Sequence, residues 1–383
     1  MSRTLWRALS VLFFAQSFGG VPARASPRAP KQGYVVHEWG TFTAVAGPDG
    51  QAVEWRPLSG PSDLPDFVYT IDKSGGYRTL DNRYKGRPGT VRMETPVLYF
   101  HTNEVVEVNV RVDFPEGQVT EWYPRAADRG RGISWDTVRV DPFAQPTLPH
   151  DGSDSHYYPA RAVDSAPVRV CDPVGNEWEQ LLFYRGVGTF MLSLTARLDD
   201  RHIDLSGAAM GRVIVYERDG DRVGVSAHDR IGMVVRPELD DTVHDAHVVV
   251  RQELLDSGLF ADEADAMLAT WDDDWFEPGL RVIWVVPRDE TDSRLPLHLD
   301  PAPVSSVRTL VGRLELVTPE RADAMQATLR AHPSPTQAAA TLQEAGGRFA
   351  EPVLVHLVSR LPDGPDRDHA KAVLSLLRTP ARS

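Results

Sequence analysis

The chain has 383 residues, a formal net charge of −13 and a single cysteine. A chain of this length can bury a hydrophobic core without disulfides or a structural metal. The acidic charge argues against nucleic acid or an anionic membrane surface as the main partner, because both attract basic patches.

The N-terminus has the three parts of a cleavable secretory signal peptide. Arg3 and Arg7 precede an apolar stretch that runs from Leu9 to Phe18, and a small-x-small pattern ends at Ala25. The apolar stretch is about half of the ~20 residues that span a bilayer, which disfavours a membrane anchor. We predict cleavage after Ala25 and export to the periplasm or the extracellular space. The leader carries three arginines and no acid, so the mature charge would be −16.

The exported chain is expected to be soluble and free of disulfides. No later stretch is apolar over the length of a bilayer, so we expect no transmembrane segment in the mature chain. Cys171 has no second cysteine to pair with. No catalytic motif surrounds it, and we predict a buried, unreactive thiol.

Strand patterns dominate the first two thirds of the chain. Residues 26–33 are rich in proline and alanine and are predicted to form a flexible lead-in. Short runs rich in β-branched and aromatic residues then alternate with turn residues, which is typical of strands. The predicted strands include residues 34–46, 93–101, 105–114, 119–123, 181–184, 189–198, 202–205, 213–216 and 223–225.

Helical patterns begin near residue 241. Residues 246–257 and 262–271 are predicted helices, and Ala264, Met267, Leu268 and Trp271 share one face of the second. Thr318 can cap a later helix that has Pro319 at its first position. We predict an α+β fold with a β-rich, sandwich-like body at residues 34–318, a two-helix insertion at about 244–276 and a helical C-terminal segment at 319–383.

His37 and Glu38 are the first candidates for chemistry. They lie in the segment His37-Glu38-Trp39-Gly40-Thr41-Phe42-Thr43. His37 suits a metal ligand or a general base, and Glu38 a general acid. In a strand, however, adjacent side chains point to opposite faces. A half-buried strand with a hydrogen-bonded histidine is the competing interpretation.

Glu94 and Arg185 are candidates for a catalytic carboxylate and an anion clamp. Glu94 lies in an alternating stretch in which Met93, Thr95, Tyr99 and His101 are expected on the opposite face. An ion pair with a buried arginine is the competing role for Glu94. Arg185 ends a strand before Gly186, where a tight turn alone is the alternative. The predicted ligand-binding residues are Trp39, Trp122, Tyr123, Tyr184 and Arg185, with packing as the alternative for the aromatic ones.

Two acidic segments are weaker candidates for a cation site. Asp272, Asp273 and Asp274 lie between aromatic residues, where oxygen ligands suit a hard cation. A solvated helix end is the competing interpretation. A loop cluster at residues 150–156 also carries histidine and aspartate. The cofactor therefore stays open, with a divalent metal as one alternative.

Several of these segments together resemble a family. They are HEWGTFT at residues 37–43, residues 92–100, FYRGVG at residues 183–188, residues 271–276 and residues 311–313. The likeness spans about residues 34–320 and is to exported hypothetical proteins of GC-rich and planctomycete-type bacteria. The resemblance implies bacterial export and carries no activity or site residues with it.

Two functional hypotheses follow from the sequence. The first is an extracytoplasmic binding or envelope-associated protein whose partner is a small molecule, a glycan or an envelope protein. The second is an exported hydrolase, metal-assisted or not, that uses His37, Glu38 or Glu94, and Arg185. No nucleophile elbow, phosphate loop or dinucleotide motif is present in the sequence, so the sequence does not decide whether the protein is an enzyme.

Overall fold

The fold is α+β and rich in strands, as predicted. The computed structural model describes residues 28–56, 64–71, 77–79, 88–172 and 175–378, with the backbone alone at 77–79. The predicted signal peptide at residues 1–25 lies outside the described residues. None of the helices within those ranges is long and apolar enough to cross a membrane.

A ten-stranded sheet forms the centre of the molecule. The strand order is β15-β14-β17-β19-β1-β4-β11-β6-β2-β3, and β1 pairs with β19 in parallel. The central strands are buried along nearly their whole length, because both faces of the sheet are covered. The strands are β1 (Tyr34–Ala46), β2 (Tyr69–Ile71), β3 (Tyr77–Thr79), β4 (Val91–Thr102), β6 (Gly117–Tyr123), β11 (Leu182–Gly188), β14 (Met210–Asp219), β15 (Arg222–His228), β17 (Gly279–Val285) and β19 (Ser305–Leu316).

Two smaller sheets complete the β-rich body. In β5, buried and exposed residues alternate, so one face of its sheet packs inward. Trp135 of the six-stranded sheet and Tyr184 of the central sheet have ring centroids 6.4 Å apart. The six-stranded sheet therefore packs on one face of the central sheet. Its strands are β5 (Val106–Val112), β7 (Ala127–Asp128), β8 (Ile133–Val140), β9 (Val168–Asp172), β10 (Gly175–Glu179) and β18 (Leu297–Asp300); the three-stranded sheet has β12 (Thr195–Asp199), β13 (His202–Ser206) and β16 (Met233–Val235).

Two helices between β16 and β17 supply residues to the main core. They are α1 (Val243–Asp256) and α2 (Ala261–Trp275), close to the bounds predicted from periodicity. The predicted apolar face of α2 is buried, with its four members between 0 and 8% exposed. A short helix, α3 (Arg288–Arg294), follows β17.

The C-terminal segment is helical and has its own apolar core. Its helices are α4 (Pro319–Ala331), α5 (Pro335–Gly346), α6 (Ala350–Arg360) and α7 (Pro365–Leu377). Thr318 caps α4 by accepting a hydrogen bond from the Arg321 amide, as its position predicts. This core also contains Val45 of β1 and Trp55, so the helices pack on the end of the central sheet.

The prediction for Cys171 is wrong, because its side chain is exposed. Cys171 lies in β9 beside Val170, which is buried. Side chains alternate between the two faces of a strand, so a buried Val170 leaves Cys171 on the solvent side.

Candidate metal centre

Adjacent residues of β1 point to opposite faces of the central sheet, as strand geometry requires. His37 Nδ1 lies 2.8 Å from Glu263 Oε2 on α2. Glu38 instead accepts hydrogen bonds from Tyr184 and from Arg308 of β19. The two candidates therefore belong to two separate sites.

His101 pairs opposite Val35 and shares the face of His37 by ordinary alternation, and a break in the β1–β4 register puts Glu94 on that face as well. Trp39 pairs with Val97 and Thr41 with Glu94, so β4 uses one more residue than β1 over this interval. Thr95 has a φ of 46°, which marks the irregularity. The simple alternation expected for this stretch is therefore wrong. Glu94 and His101 both point toward helices, Glu94 to Arg348 and His101 to Glu263.

His37, His101 and Glu263 form a compact buried cluster. His101 Nε2 lies 3.0 Å from Glu263 Oε1. The three residues are 3, 2 and 0% exposed. One ligand atom from each lies within 4.8 Å of the other two. Among the described ranges, this is the group of histidine and carboxylate side chains whose spacing suits a metal ion.

Glu263 is held as a carboxylate in the first turn of α2. Its Oε2 also accepts a hydrogen bond of 2.8 Å from the backbone amide of Phe260. Burial raises the pKa of Glu263, but hydrogen bonds from His101 and His37 outweigh burial and lower the pKa to about 2. A carboxylate only accepts, so each histidine directs an N–H at it in the metal-free protein.

Glu263 differs from every other buried glutamate in the described part of the chain. Eight glutamates are buried there, and Glu263 alone has only histidines as its ion-pair partners. An isolated buried carboxylate is costly, which explains why buried charges are normally paired. The other seven form ion pairs with arginine: Glu38 with Arg308, Glu94 with Arg92 and Arg348, Glu121 with Arg185, Glu179 with Arg161, Glu253 with Arg212, Glu315 with Arg281, and Glu351 with Arg378.

The donor set and its spacing suit a divalent transition metal. Zinc binds imidazole nitrogen and carboxylate oxygen at about 2.0–2.2 Å, which puts tetrahedral ligand atoms about 3.4 Å apart. The observed N···O distances of 2.8 and 3.0 Å are close to that value. Loss of the two N–H protons would convert the hydrogen-bonded triad into a set of three ligands. His101 Nδ1, by contrast, is buried and has no hydrogen-bond partner among the described residues.

Glu94 lies in an ion-pair network between the sheet and the C-terminal helices. Arg348 Nη1 lies 2.6 Å from Glu94 Oε1 and 3.4 Å from an oxygen of Asp274. Arg92 Nε lies 3.2 Å from the same Glu94 oxygen, and Thr43 donates to the other. Of the acidic run, Asp272 and Asp273 are exposed, so the run is partly a solvated helix end and partly a partner of Arg348.

Arg185 and the predicted aromatic binding residues lie outside the histidine cluster. Arg185 Nη2 is 3.2 Å from Glu121 Oε1 on the neighbouring strand. The aromatic side chains are buried, which supports packing over a sugar-stacking surface. Their exposed fractions are 0% for Trp39, 1% for Trp122, 5% for Tyr123 and 0% for Tyr184.

Sequence reasoning identified His37 and missed its two partners. His101 was placed on the face opposite Glu94 and was assigned no role. Glu263 carried a weaker signal, because it lies three residues after Phe260 at the start of a predicted helix, where an acidic side chain caps the chain. In the 150–156 loop, Asp151 accepts from Ser153 and Tyr158, and His156 Nδ1 lies 2.8 Å from the Thr270 carbonyl oxygen.

No protein-family model and no curated protein matches the chain. The resemblance to exported bacterial proteins thus stays a prediction. The geometry of the histidine cluster is therefore the basis for a functional proposal.

Proposed function

We propose that this chain is an exported protein that binds one divalent transition-metal ion through His37, His101 and Glu263. The observation that carries the proposal is the convergence of three ligand atoms within 4.8 Å in a buried site. Two strands and a helix supply them, and 226 residues separate His37 from Glu263.

Zinc is the ion that the donor set favours. Two imidazoles and one carboxylate are typical zinc ligands, whereas Ca²⁺ and Mg²⁺ prefer sites built from oxygen. Glu263 has no arginine as an ion-pair partner among the described residues, which supports the same conclusion, because a bound cation would neutralise that buried carboxylate. Copper and iron also accept this ligand set, so the measurement must compare metals.

Metal binding fits an extracytoplasmic binding protein better than a hydrolase at this site. A catalytic metal needs an open coordination position that substrate and water can reach. The three ligands here are at most 3% exposed, and the Phe260 ring stacks on His37 with centroids 4.5 Å apart. The other residues of the hydrolase hypothesis, Glu38 and Arg185, have ion-pair partners elsewhere. We therefore propose retention of the metal as the role of the site.

Metal analysis of tag-free protein tests the proposal. The protein is stripped with a chelator, reloaded with Zn²⁺, Cu²⁺ or Co²⁺ under competition, and analysed for bound metal per chain. We expect one tightly bound zinc ion and a visible Co²⁺ spectrum with nitrogen and oxygen ligands. The variants His37→Gln, His101→Gln and Glu263→Gln should each lose that ion while they keep the wild-type far-ultraviolet circular dichroism.

His298→Gln is the matched control. His298 also contacts a carboxylate, with Nε2 3.1 Å from Asp113 Oδ2, but it is exposed and lies outside the cluster. This variant should bind zinc like the wild type. Folded wild-type protein that binds no metal, or a folded Glu263→Gln variant that binds it unchanged, would refute the proposal.

A further inference from the structure

Phe260 packs directly on the two histidines of the cluster. Its ring stacks on His37 at 4.5 Å and meets His101 edge-on at 5.0 Å. Its backbone amide donates to Glu263, so ring and ligand are fixed to the same helix start. A ligand that enters or leaves from the side of Phe260 must displace the Phe260 ring.

Arg28 holds Phe260 from its other face. The guanidinium carbon lies 4.5 Å from the ring centroid. Since the His37 imidazole occupies one face of the ring, the guanidinium takes the opposite one. Arg28 Nη1 also pairs with Asp262 Oδ2 at 2.7 Å, and that oxygen accepts a 2.8 Å bond from the Asp164 amide. The order from solvent inward is therefore Arg28, Phe260 and the histidine cluster.

Residues 28–33, which we call the N-terminal strap, keep Arg28 in this place. The Asn103 amide approaches the carbonyl oxygens of Ala29 and Pro30 at 3.4 and 3.3 Å. Gly33 donates its amide to Glu104 at 2.6 Å and accepts from the Thr102 hydroxyl at 2.9 Å. These contacts tie the strap to the end of β4, the strand that carries His101.

We propose that the N-terminal strap closes the metal site and that Arg28 controls how fast the ion exchanges. The inference rests on the proposed function, because it assigns a gate to that same site. The charges around the site are balanced when the strap is closed and a divalent ion is bound. Asp164, Asp262 and Glu263 carry three negative charges, which Arg28 and a divalent ion would balance.

The gate is weak enough to open in solution. The Arg28 and Asp262 side chains are 23 and 25% exposed, so their ion pair is solvent-screened. An exposed ion pair and a cation–π contact of this kind together change an opening equilibrium by about tenfold. Predicted cleavage after Ala25 would keep Arg28 as the third residue of the mature chain, so the strap belongs to the exported form.

Zinc dissociation kinetics test the gate. Zinc-loaded protein is mixed with excess chromogenic chelator, and the rate of zinc loss is measured for the wild type, Arg28→Gln, Asp262→Asn and the double variant. Each single variant should lose zinc about tenfold faster and still bind one ion per chain. The double variant should be little faster than either single variant, because both changes remove one contact.

Arg125→Gln is the matched control, since Arg125 lies over the Tyr69 ring at 5.0 Å in another part of the protein. It should release zinc at the wild-type rate. If the Arg28→Gln variant binds one zinc ion and releases it at the wild-type rate, the gate is refuted and the proposed function stands. A wild-type chain without zinc would instead overturn the proposed function.

Discussion

Arg348 forms ion pairs that link the C-terminal helices to the β-rich body. Its removal should destabilise the protein strongly. Arg348→Met removes the guanidinium and keeps the volume of the side chain. The change leaves Glu94 and Asp274 without the cation that lies 2.6 and 3.4 Å from them. Glu277, 3.7 Å from Arg348 Nε, loses part of its compensation too.

The expected loss follows from the burial of this network. Loss of one partner of a buried ion pair costs about 3–5 kcal/mol, because the remaining charge stays desolvated. Arg92 still lies 3.2 Å from Glu94, so we expect the lower end, about 3 kcal/mol of unfolding free energy. Urea unfolding at neutral pH measures it, and limited proteolysis should show faster cleavage between β19 and α4.

A double-mutant cycle tests whether the ion pair between Glu94 and Arg348 accounts for the loss of stability. Glu94→Gln combined with Arg348→Met should cost less than the sum of the single changes, with a coupling of about 1–2 kcal/mol. Arg330→Met, an exposed arginine at the end of α4, is the control and should change stability by less than about 0.5 kcal/mol. Additive losses, or an Arg348→Met loss as small as that of the control, would refute the reasoning.

Three further predictions concern the site, the bulge and the thiol. In chelator, Glu263→Gln should be less stable than the wild type by about 3 kcal/mol at pH 7, since the pKa falls from 4.5 to about 2 on folding. The gap should shrink as pH drops from 4.5 toward 2, and a pH-independent gap in urea unfolding would contradict the assignment. Gly40→Ala should lose about 1–3 kcal/mol in the same assay, because a Cβ would lie 2.8 Å from the Pro96 Cα; an unchanged midpoint would contradict this steric argument. Cys171 should react with a maleimide in the folded protein, and labelling that requires denaturant would place the thiol in the core.

Local periodicity predicted the elements that present the site. The period of two on β1 separated His37 from Glu38, and their contacts lie on opposite faces. The spacing of apolar residues in α2 predicted the side that faces the core. Both patterns follow from the geometry of a single strand or helix, so the sequence of that element is enough to predict them.

The partners of His37 depended on information that no single element contains. His101 joins it because β4 pairs with β1 so that His101 lies opposite Val35, two residues before His37, whereas the register break near Thr95 changes the face of Glu94. Glu263 lies 162 residues after His101, and their contact follows from how α2 crosses the sheet. Strand pairing and helix placement are tertiary features, so the sequence predicted His37 and missed the two residues that join it.

Glu263 differs from the other buried glutamates of the described residues in the partners that the fold provides for it. A fold that supplies an arginine for seven buried carboxylates can supply one for the eighth, and here it supplies two histidines. Imidazole can exchange a proton for a metal ion near neutral pH, and a guanidinium cannot. Glu263 is therefore the buried carboxylate whose charge a mobile cation can neutralise. Phe260 and Arg28 pack at the start of the same helix, where they would slow the release of that cation.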